Sequence, residues 1–512
     1  MTTSLESEFG PVRSFFWPIH RSERRKLIPM LLMLCLIVFS YDLLRNMKDA
    51  VVITASGAEV IPFIKVWALL PGAVLLTYIF AVLSNRYSQE KVFYIMISGF
   101  LIFFAAFAFV LYPLRQSLHA HGFADLLATF LPAGFKGLIA MLRNWSFTLF
   151  YVMCELWGSI IMTVLFWGFA NEVTRIGEAR RFFGVLCFGA NCCAVLAGQM
   201  SSILPSENPS DLLREEWGLP LMILVAIVIL SGLLVIGIFR WMNRSVLNDP
   251  SFDEFHNNKK VQKAKGKLSI RESFAYLANS RYLLCIAVMV VGYNLVINLV
   301  EVVWKDQVKT LYPSPGDYFT FMSNITSLIG ILSGIMSLLM ARIINRFGWT
   351  KTALITPVIM LITSVGFFSF LFYRNWAGEV ILPFGASALL IAVIFGAAQN
   401  SLSKAMKYSV FDATKEMAFI PLSHESKLKG KAAIDGVGSR MGKSGGSLIH
   451  TGLLMMTGSL TASAPYVATI LMGAIGLWIY ATRSLGHQFN ELVPDEPKEA
   501  SPSKEPELQT AH

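Results

Sequence analysis

Ionisable side chains interrupt several of the long apolar stretches in this sequence. The clearest cases are Lys65, Glu155, Glu301, Arg440 and Lys443. A charged side chain at the centre of a membrane costs roughly 2.5–3.5 kcal/mol, so such residues normally face a polar path or one another. Since the three basic residues outnumber the two acids, the pattern predicts a polar cavity that prefers an anion.

A polar stripe runs along the apolar stretch near residue 300. Its members Asn294, Asn298, Glu301 and Lys305 are spaced at i, i+4, i+7 and i+11. Residues at this spacing share one face of an α-helix, and the rest of that helix is apolar. A membrane helix with one polar face is typical of the lining of a cavity.

Two basic residues stand among glycines near residue 440. Arg440 and Lys443 are three positions apart, so a helix presents both from one face. A guanidinium and an ammonium group both suit phosphate oxygens. The glycines permit close helix packing or local unwinding, and Asp435 precedes them in the same segment. This segment is therefore predicted to bind the negatively charged part of a ligand.

The end of the first apolar stretch allows two interpretations. Arg45, Lys48 and Asp49 lie where that stretch gives way to polar residues. They either extend toward the membrane interface, as long charged side chains do, or belong to the polar site. A functional role is predicted for Lys65, because it lies inside an apolar run with Trp67 two positions further on.

The fourth apolar stretch combines an acid, aromatic side chains and an amide. A step of about three turns from Glu155 reaches Phe166, so an acid, an aromatic face and the later Asn171 amide can share one helix surface, which suits a nucleobase or another flat polar group. Aromatic residues in membrane helices otherwise face lipid or pack against other helices. A similar run in the second half of the chain ends in Asn400, which favours an internal repeat.

These side chains are carried by twelve predicted membrane helices. Hydrophobic residues make up 54% of the 512, and the mean hydropathy is +0.56, which exceeds what is usual for soluble globular proteins. A membrane span takes about 20 apolar residues. The predicted spans are residues 27–45, 60–83, 92–114, 148–172, 182–204, 219–240, 282–304, 318–341, 353–373, 380–403, 432–457 and 461–482.

The predicted helices fall into two groups of six. Lys and Arg concentrate in alternate loops, which places both termini in the cytoplasm. This distribution accounts for the net charge of +10 without a nucleic-acid partner. A less apolar stretch at 123–141 is predicted to be an interfacial helix. The predicted organisation is a cytoplasmic N-terminus (1–26), a first half (27–240), a basic cytoplasmic linker (241–281), a second half (282–485) and a disordered cytoplasmic tail (486–512).

Five sequence blocks resemble the nucleotide transporter family of obligate intracellular bacteria and plastids, the bacterial-type ATP/ADP translocases. The resemblance implies a major-facilitator-like 6+6 architecture and exchange of host ATP for ADP by alternating access. It also associates Lys65, Glu155, Glu301 and Lys443 with substrate and coupling roles. The blocks are Gly57-Ala-Glu-Val-Ile-Pro-Phe-Ile-Lys65-Val-Trp, Glu155-Leu-Trp-Gly-Ser, Phe166-Trp-Gly-Phe-Ala-Asn171, Asn298-Leu-Val-Glu301-Val-Val-Trp-Lys305, and Lys429-Gly-Lys-Ala-Ala-Ile-Asp435 with Gly442-Lys-Ser-Gly-Gly446.

The expected protein is an all-α integral membrane antiporter with ATP and ADP as substrates. The polar clusters contain no catalytic motif, so an enzyme is not expected, and neither is a cofactor or a metal site. The expected substrate-binding residues are Lys65, Glu155, Asn171, Asn298, Glu301, Asn400, Arg440 and Lys443. Additional candidates are Arg45, Lys48, Asn294, Lys305, Trp167 and Asp435.

Two alternative functions stay open at this point. One is proton-coupled import of nucleotides with Glu155 or Glu301 as the proton carrier, and the other is a non-transporting nucleotide sensor or scaffold. Co-transport of phosphate or protons is also open. The short N-terminus lacks the features of a transit peptide, which favours a bacterial inner membrane over a plastid envelope. We expect a monomer surrounded by membrane lipids.

Overall fold

Long helices dominate the part of the chain that the computed structural model describes, which is residues 19–21, 23–174, 176–203, 217–246, 280–378, 385–422, 430, 434 and 438–492. The first half contains α1 (Arg24–Ser56), α2 (Val60–Arg86), α3 (Gln89–Leu111), α4 (Trp145–Val173), α5 (Ile176–Ile203) and α6 (Gly218–Ser245). The second half contains α7 (Arg281–Leu311), α8 (Pro315–Met340), α9 (Arg346–Trp376), α10 (Ala388–Ala418), α11 (Ser439–Thr457) and α12 (Leu460–Leu492).

Eleven helices within these residues are long and apolar enough to cross a membrane. The twelfth long helix, α11, is not among them, because its first turns are rich in glycine and carry Arg440 and Lys443. The prediction of an all-α membrane protein is confirmed, whereas the count of twelve spans stays a prediction. Helices α8 and α9 belong to one run of helix, Pro315–Ala377, which is interrupted at Gly348, near the start of α9, where a φ of 72° departs from helical geometry.

Helix α1 continues well beyond the predicted end of the first span at residue 45. It ends at Ser56, where Gly57 takes a positive φ of 87° and its N–H donates to the carbonyl of Ile53. Hydropathy ends the apolar run early because Arg45, Lys48 and Asp49 are charged. The structure places these three residues inside the helix, about two to three turns before its end.

The predicted interfacial stretch at 123–141 forms two short helices rather than one. They span His121–Phe130 and Lys136–Arg143, and Pro132 lies between them. This connector packs on α11, because a Cβ on Gly134 would lie 2.5 Å from the backbone of Met455. Since the connector belongs to the first half and α11 to the second, the two halves are in contact here.

Other predicted boundaries shift modestly. Helix α7 reaches Leu311 rather than residue 304, and α10 begins at Ala388, where the Ser387 hydroxyl caps the helix by accepting from the N–H of Leu390. Helix α12 continues to Leu492, past the predicted start of the tail at 486. Most of the predicted linker and the rest of the tail lie outside the described residues.

Small residues bring the two halves together. Helix α1 packs against α4, α5 and α6, and α7 packs against α10, α11 and α12. Between the halves, Gly198 of α5 lies against Ser323 and Ser327 of α8. Glycine and serine allow helix backbones to approach closely, and such packing drives helix association in membranes.

Replacement of Gly198 by alanine is therefore expected to lower the thermal unfolding midpoint. The new Cβ would lie 2.5 Å from the carbonyl oxygen of Ser323 and 2.8 Å from the amide nitrogen of Ser327, and overpacking of this kind costs about 1–3 kcal/mol. Gly184→Ala in the same helix is the control, because nothing lies within 4 Å of its Cβ position. Tryptophan fluorescence of both variants in detergent measures the midpoints, and equal midpoints would contradict close packing at Gly198.

Candidate functional site

A chain of buried ion pairs lies at the boundary between the two halves. Asp49 is its centre: one carboxylate oxygen is 2.8 Å from Lys48 Nζ, and the other is 2.8 Å from Lys305 Nζ. Lys48 also lies 2.9 Å from Glu155. On the other side, Glu301 is 3.2 Å from Lys305 and 3.4 Å from Lys404. We call these residues the ion-pair network: Lys48, Asp49, Glu155, Glu301, Lys305 and Lys404.

The network crosses from one half of the protein to the other. Asp49 belongs to α1 and Lys305 to α7, and their side chains are only 2% and 4% exposed. Removing one partner of a buried ion pair costs about 3–5 kcal/mol, because the other charge stays buried without compensation. The Asp49–Lys305 pair therefore links the halves for as long as both groups are charged. Lys48 and Asp49 do not extend to the interface; they are buried and paired within the ion-pair network.

Lys65 forms a second link between the halves. Its Nζ donates to the side-chain oxygen of Asn298 in α7 at 2.7 Å. Lys65 lies in a π-helical segment of α2, Ile64–Leu69, which follows the turn that contains Pro62. Short π-helical segments are frequent at functional sites, and this one contains Lys65.

Arg45 supplies a third link, from α1 to α8. Its guanidinium donates to the Thr326 hydroxyl at 3.2 Å and lies 3.4 Å from the carboxylate of Asp42. The neighbouring Asn46 amide donates to the same hydroxyl at 3.1 Å. Arg45 is thus held by both halves at once.

A cavity of about 40 Å³ lies among these groups. Its volume admits water molecules but not a nucleotide, since small-molecule sites are typically about 300–1,000 Å³. The lining has five basic side chains against three acidic ones, which favours a bound anion. The basic residues are Arg45, Lys48, Lys65, Lys305 and Lys404, and the acids are Asp49, Glu155 and Glu301.

Most of the predicted site residues meet at this cavity. Of the principal set, Lys65, Glu155, Glu301 and Asn400 line it, and Asn298 joins it through Lys65. Of the additional candidates, the basic residues of α1 and α7 line it, namely Arg45, Lys48 and Lys305. Residues from five helices and more than 350 positions of sequence are thus brought together.

Two predicted residues of α4 lie away from the cavity. Asn171 is exposed, and Trp167 packs edge-on against Phe183 with ring centroids 5.2 Å apart. A π-helical segment, Gly158–Phe166, separates them from Glu155. They follow Glu155 by 12 and 16 positions, which places them roughly 15–25 Å further along the helix axis.

Helix α11 also differs from the prediction. Gly442 and Gly446 face α7, where their Cβ positions would meet Asn294 and Asn298. Lys443, one position after Gly442, is therefore directed sideways; it is exposed and does not line the cavity. Asn294 serves helix packing, and its amide donates to the Val290 carbonyl. The Arg440 side chain and Asp435 lie outside the described residues.

Sequence reasoning does not name two members of the site, Tyr151 and Lys404, and it places Asp49 there only as one of two interpretations. Tyr151 lies beneath Lys48, whose Nζ is 3.8 Å from the ring centroid, a cation–π contact. Lys404 follows Asn400 by four positions, a spacing that places both on one helix face. That spacing is the available signal, but the predicted span ends at residue 403.

Comparison with known proteins gives a consistent result over the whole chain. The TLC ATP/ADP transporter family matches residues 2–489. ADP,ATP carrier protein 1 of Chlamydia pneumoniae is 46% identical over 498 residues, which cover 96% of each chain. ADP,ATP carrier protein 1, chloroplastic, of Arabidopsis thaliana is 41% identical over 478 residues, covering 92% of this chain and 75% of that one.

Solved structures with the same fold are all-helical transporters of the major-facilitator type. The nucleoside transporter NupG has a TM-score of 0.52 at 13% identity, covering 90% of this chain and 99% of that one. The xylose transporter XylE from E. coli, in a partially occluded inward-open conformation, has a TM-score of 0.52 at 12% identity, with 92% and 98% covered. These likenesses confirm the predicted fold class.

The link between the halves predicts a coupling in stability. Asp49→Asn and Lys305→Gln should each lower the unfolding free energy by about 1.5–3 kcal/mol, because each removes one of the two buried partners of the remaining charge, with Lys305 keeping Glu301 and Asp49 keeping Lys48. The double variant should lose clearly less than the sum, since residues in contact are not additive. The measurement is thermal or denaturant unfolding of the purified protein in detergent.

The exposed ion pair of the connector serves as the control. Asp125 is 66% exposed and pairs with Arg143, so Asp125→Asn should change stability by about 1 kcal/mol at most. Strict additivity of the Asp49 and Lys305 substitutions would contradict a direct ion pair between them.

Proposed function

Because the chain belongs to the TLC ATP/ADP transporter family, we propose that it exchanges ATP for ADP across a membrane by alternating access. The observation that carries the proposal is the cavity between the halves, where five basic side chains face three acidic ones. Such a site binds a polyanion and then releases it unchanged. The relatives named as ADP,ATP carriers supply the identity of that anion.

Lys65 is the group best placed to bind phosphate first. Lys48, Lys305 and Lys404 are each within 3.4 Å of a carboxylate. Within the described residues, the hydrogen-bond partner of Lys65 is a neutral amide, that of Asn298. A phosphate oxygen can therefore approach Lys65 without displacing a carboxylate. The remaining lysines can join as the phosphate chain replaces Asp49, Glu155 and Glu301 around them.

The same contacts explain why movement would require a bound nucleotide. For the halves to separate, Lys305 must leave Asp49 and Lys65 must leave Asn298. In an empty carrier Lys305 would keep Glu301 and Asp49 would keep Lys48, but each would lose one of its two buried partners, which is costly away from water. Substrate phosphates can take the place of the lost partners. A conformational change then becomes favourable only for the loaded carrier, which is the condition for exchange.

Some predicted site residues do not line the cavity in this conformation, and we propose roles for them as well. Arg440 and Lys443 lie at the start of α11, which packs on α2 and α7. We place them on the path by which the phosphate chain reaches Lys65. Asn171, at the end of α4, would line the same path once the halves separate. Asp435, Asn294 and Trp167 are assigned supporting roles in this path.

The proposed setting is the cell membrane of a bacterium, with both termini in the cytoplasm and host ATP outside. Fully ionised ATP carries one more negative charge than ADP. Exchange of the two therefore moves one charge, on which the membrane potential acts with about 2.3 kcal/mol per 100 mV. The six helices on each side of residues 247–279 would rock as units about the cavity.

Reconstituted liposomes test exchange directly. Uptake of radiolabelled ATP should require ADP inside the vesicles and should continue in the presence of a protonophore. Uptake into empty vesicles that stops with the protonophore would instead establish proton-coupled import. Binding of nucleotide without any flux would establish a sensor or scaffold.

Lys65→Ala is expected to raise the KM for ATP by about 10- to 100-fold in the same liposomes. A hydrogen bond to a charged group contributes about 1.5–3 kcal/mol, and each 1.4 kcal/mol corresponds to a factor of ten. Lys91→Ala is the matched control, because Lys91 is an exposed lysine at the start of α3. Transport by Lys65→Ala at the parent KM would remove Lys65 from the substrate site.

A further inference from the structure

Asn400 of α10 is a buried amide beside the central cavity. It is 1% exposed, and both its side-chain oxygen and its side-chain nitrogen lack a hydrogen-bond partner within the described residues. Buried polar groups are nearly always paired, because each unsatisfied one costs about 1–3 kcal/mol. Asn400 also lines the central cavity. An unpaired amide in that position is available to a ligand.

The neighbouring residue shows that burial alone does not define the site. Gln399 is equally buried, and both of its side-chain polar atoms are also unpaired within the described part of the chain. Gln399 does not line the cavity, whereas Asn400 does. Asn400 shares its helix face with Lys404, which lies one turn further on. Lys404 is 3.4 Å from Glu301, which also lines the cavity. Position on the cavity therefore distinguishes the two amides.

We propose that Asn400 binds the edge of the nucleobase and so selects the base of the transported nucleotide. This inference rests on the proposed nucleotide exchange. An asparagine side chain presents one acceptor and two donors in a fixed plane. A phosphate group only accepts hydrogen bonds, so it would leave the asparagine oxygen unpaired. Adenine offers an amino donor beside a ring-nitrogen acceptor, and this pair satisfies both atoms of an asparagine amide.

The location of Asn400 relative to Lys65 supports this division of labour. Lys65 belongs to α2 in the first half and Asn400 to α10 in the second, and both line the same cavity. A nucleotide with its phosphates at Lys65 and its base at Asn400 spans the boundary between the halves. Recognition of the base is thereby tied to the approach of the two halves around the substrate. A nucleotide whose base lacks the matching donor and acceptor leaves Asn400 unpaired when the two halves close around it.

The test compares two substrates that differ only at the base edge. Purine riboside 5′-triphosphate lacks the 6-amino group of ATP. The full-length protein is reconstituted in ADP-loaded liposomes, and the KM is measured for both nucleotides. The parent protein should prefer ATP by about tenfold or more, since a bidentate asparagine–adenine pair gives about 1–3 kcal/mol of discrimination. Asn400→Ala should reduce that preference to near unity.

Gln399→Ala is the matched control, because it removes an adjacent buried amide that does not face the cavity. It should keep the preference of the parent protein for ATP. The ratio of two KM values within one variant does not depend on how much protein is folded. If Asn400→Ala does not transport, the same ratio is obtained from the nucleotide concentrations that half-maximally protect it from thermal unfolding in detergent.

The isosteric variant Asn400→Asp separates the two hydrogen bonds. It keeps an acceptor for the amino group but has no donor for the ring nitrogen. It should therefore still prefer ATP over purine riboside triphosphate while its KM for ATP rises.

The outcomes distinguish this inference from the function on which it rests. If the parent protein does not exchange ATP for ADP, the proposed function itself fails. If the parent exchanges them and Asn400→Ala keeps the full preference for ATP, base recognition by Asn400 is overturned. It is also overturned if Gln399→Ala and Asn400→Ala lose the preference equally, because the effect would then come from disturbed packing of α10.

Discussion

The need to pair charges away from water is the constraint on which the rest of this structure depends. The ion-pair network places three lysines and three carboxylates in succession, so that every charge has an opposite neighbour within 3.4 Å. Charges buried without partners would be neutralised or exposed instead. The network needs side chains from four helices, and those helices come from both halves of the chain. The boundary between the halves is consequently polar at its centre.

Backbone features adapt the helices to this arrangement. π-helical segments occur in α2 at Lys65 and in α4 directly after the turn that carries Glu155. Each shifts the phase of its helix, so that one end faces the cavity and the other faces lipid or packed helices. Glycines do the complementary work by allowing close approach: Gly158 accommodates the ring of Tyr41, and Gly446 accommodates Asn298. Charge pairing thus determines which face of each helix points toward the cavity, and small residues allow the helices to pack closely in that orientation.

The sequence contains enough to predict the spans, the polar stripe of α7 and most of the charged residues at the cavity. What it does not contain is the partner of each charge. Hydropathy ends the first apolar run near residue 45 and leaves Asp49 beyond it, yet two lysines from different helices allow the α1 helix to continue. Lys404 lies beyond a predicted span for the same reason. Asn171 is predicted at the site and found away from it, because it follows Glu155 by 16 positions, which is on the order of 20 Å along the helix axis.

The balance of charge at the cavity also limits what can pass through it. The network is neutral as a whole, and Arg45 is offset by Asp42, so Lys65 remains the basic group without a carboxylate among its hydrogen-bond partners in the described part of the chain. Within the network, Asp49–Lys305 is the ion pair that joins the two halves. A neutral solute could not take the place of Asp49 beside Lys305 when the halves separate, and a cation would add to the repulsion. A phosphate chain has enough charge to bind Lys65 and Lys305 at once.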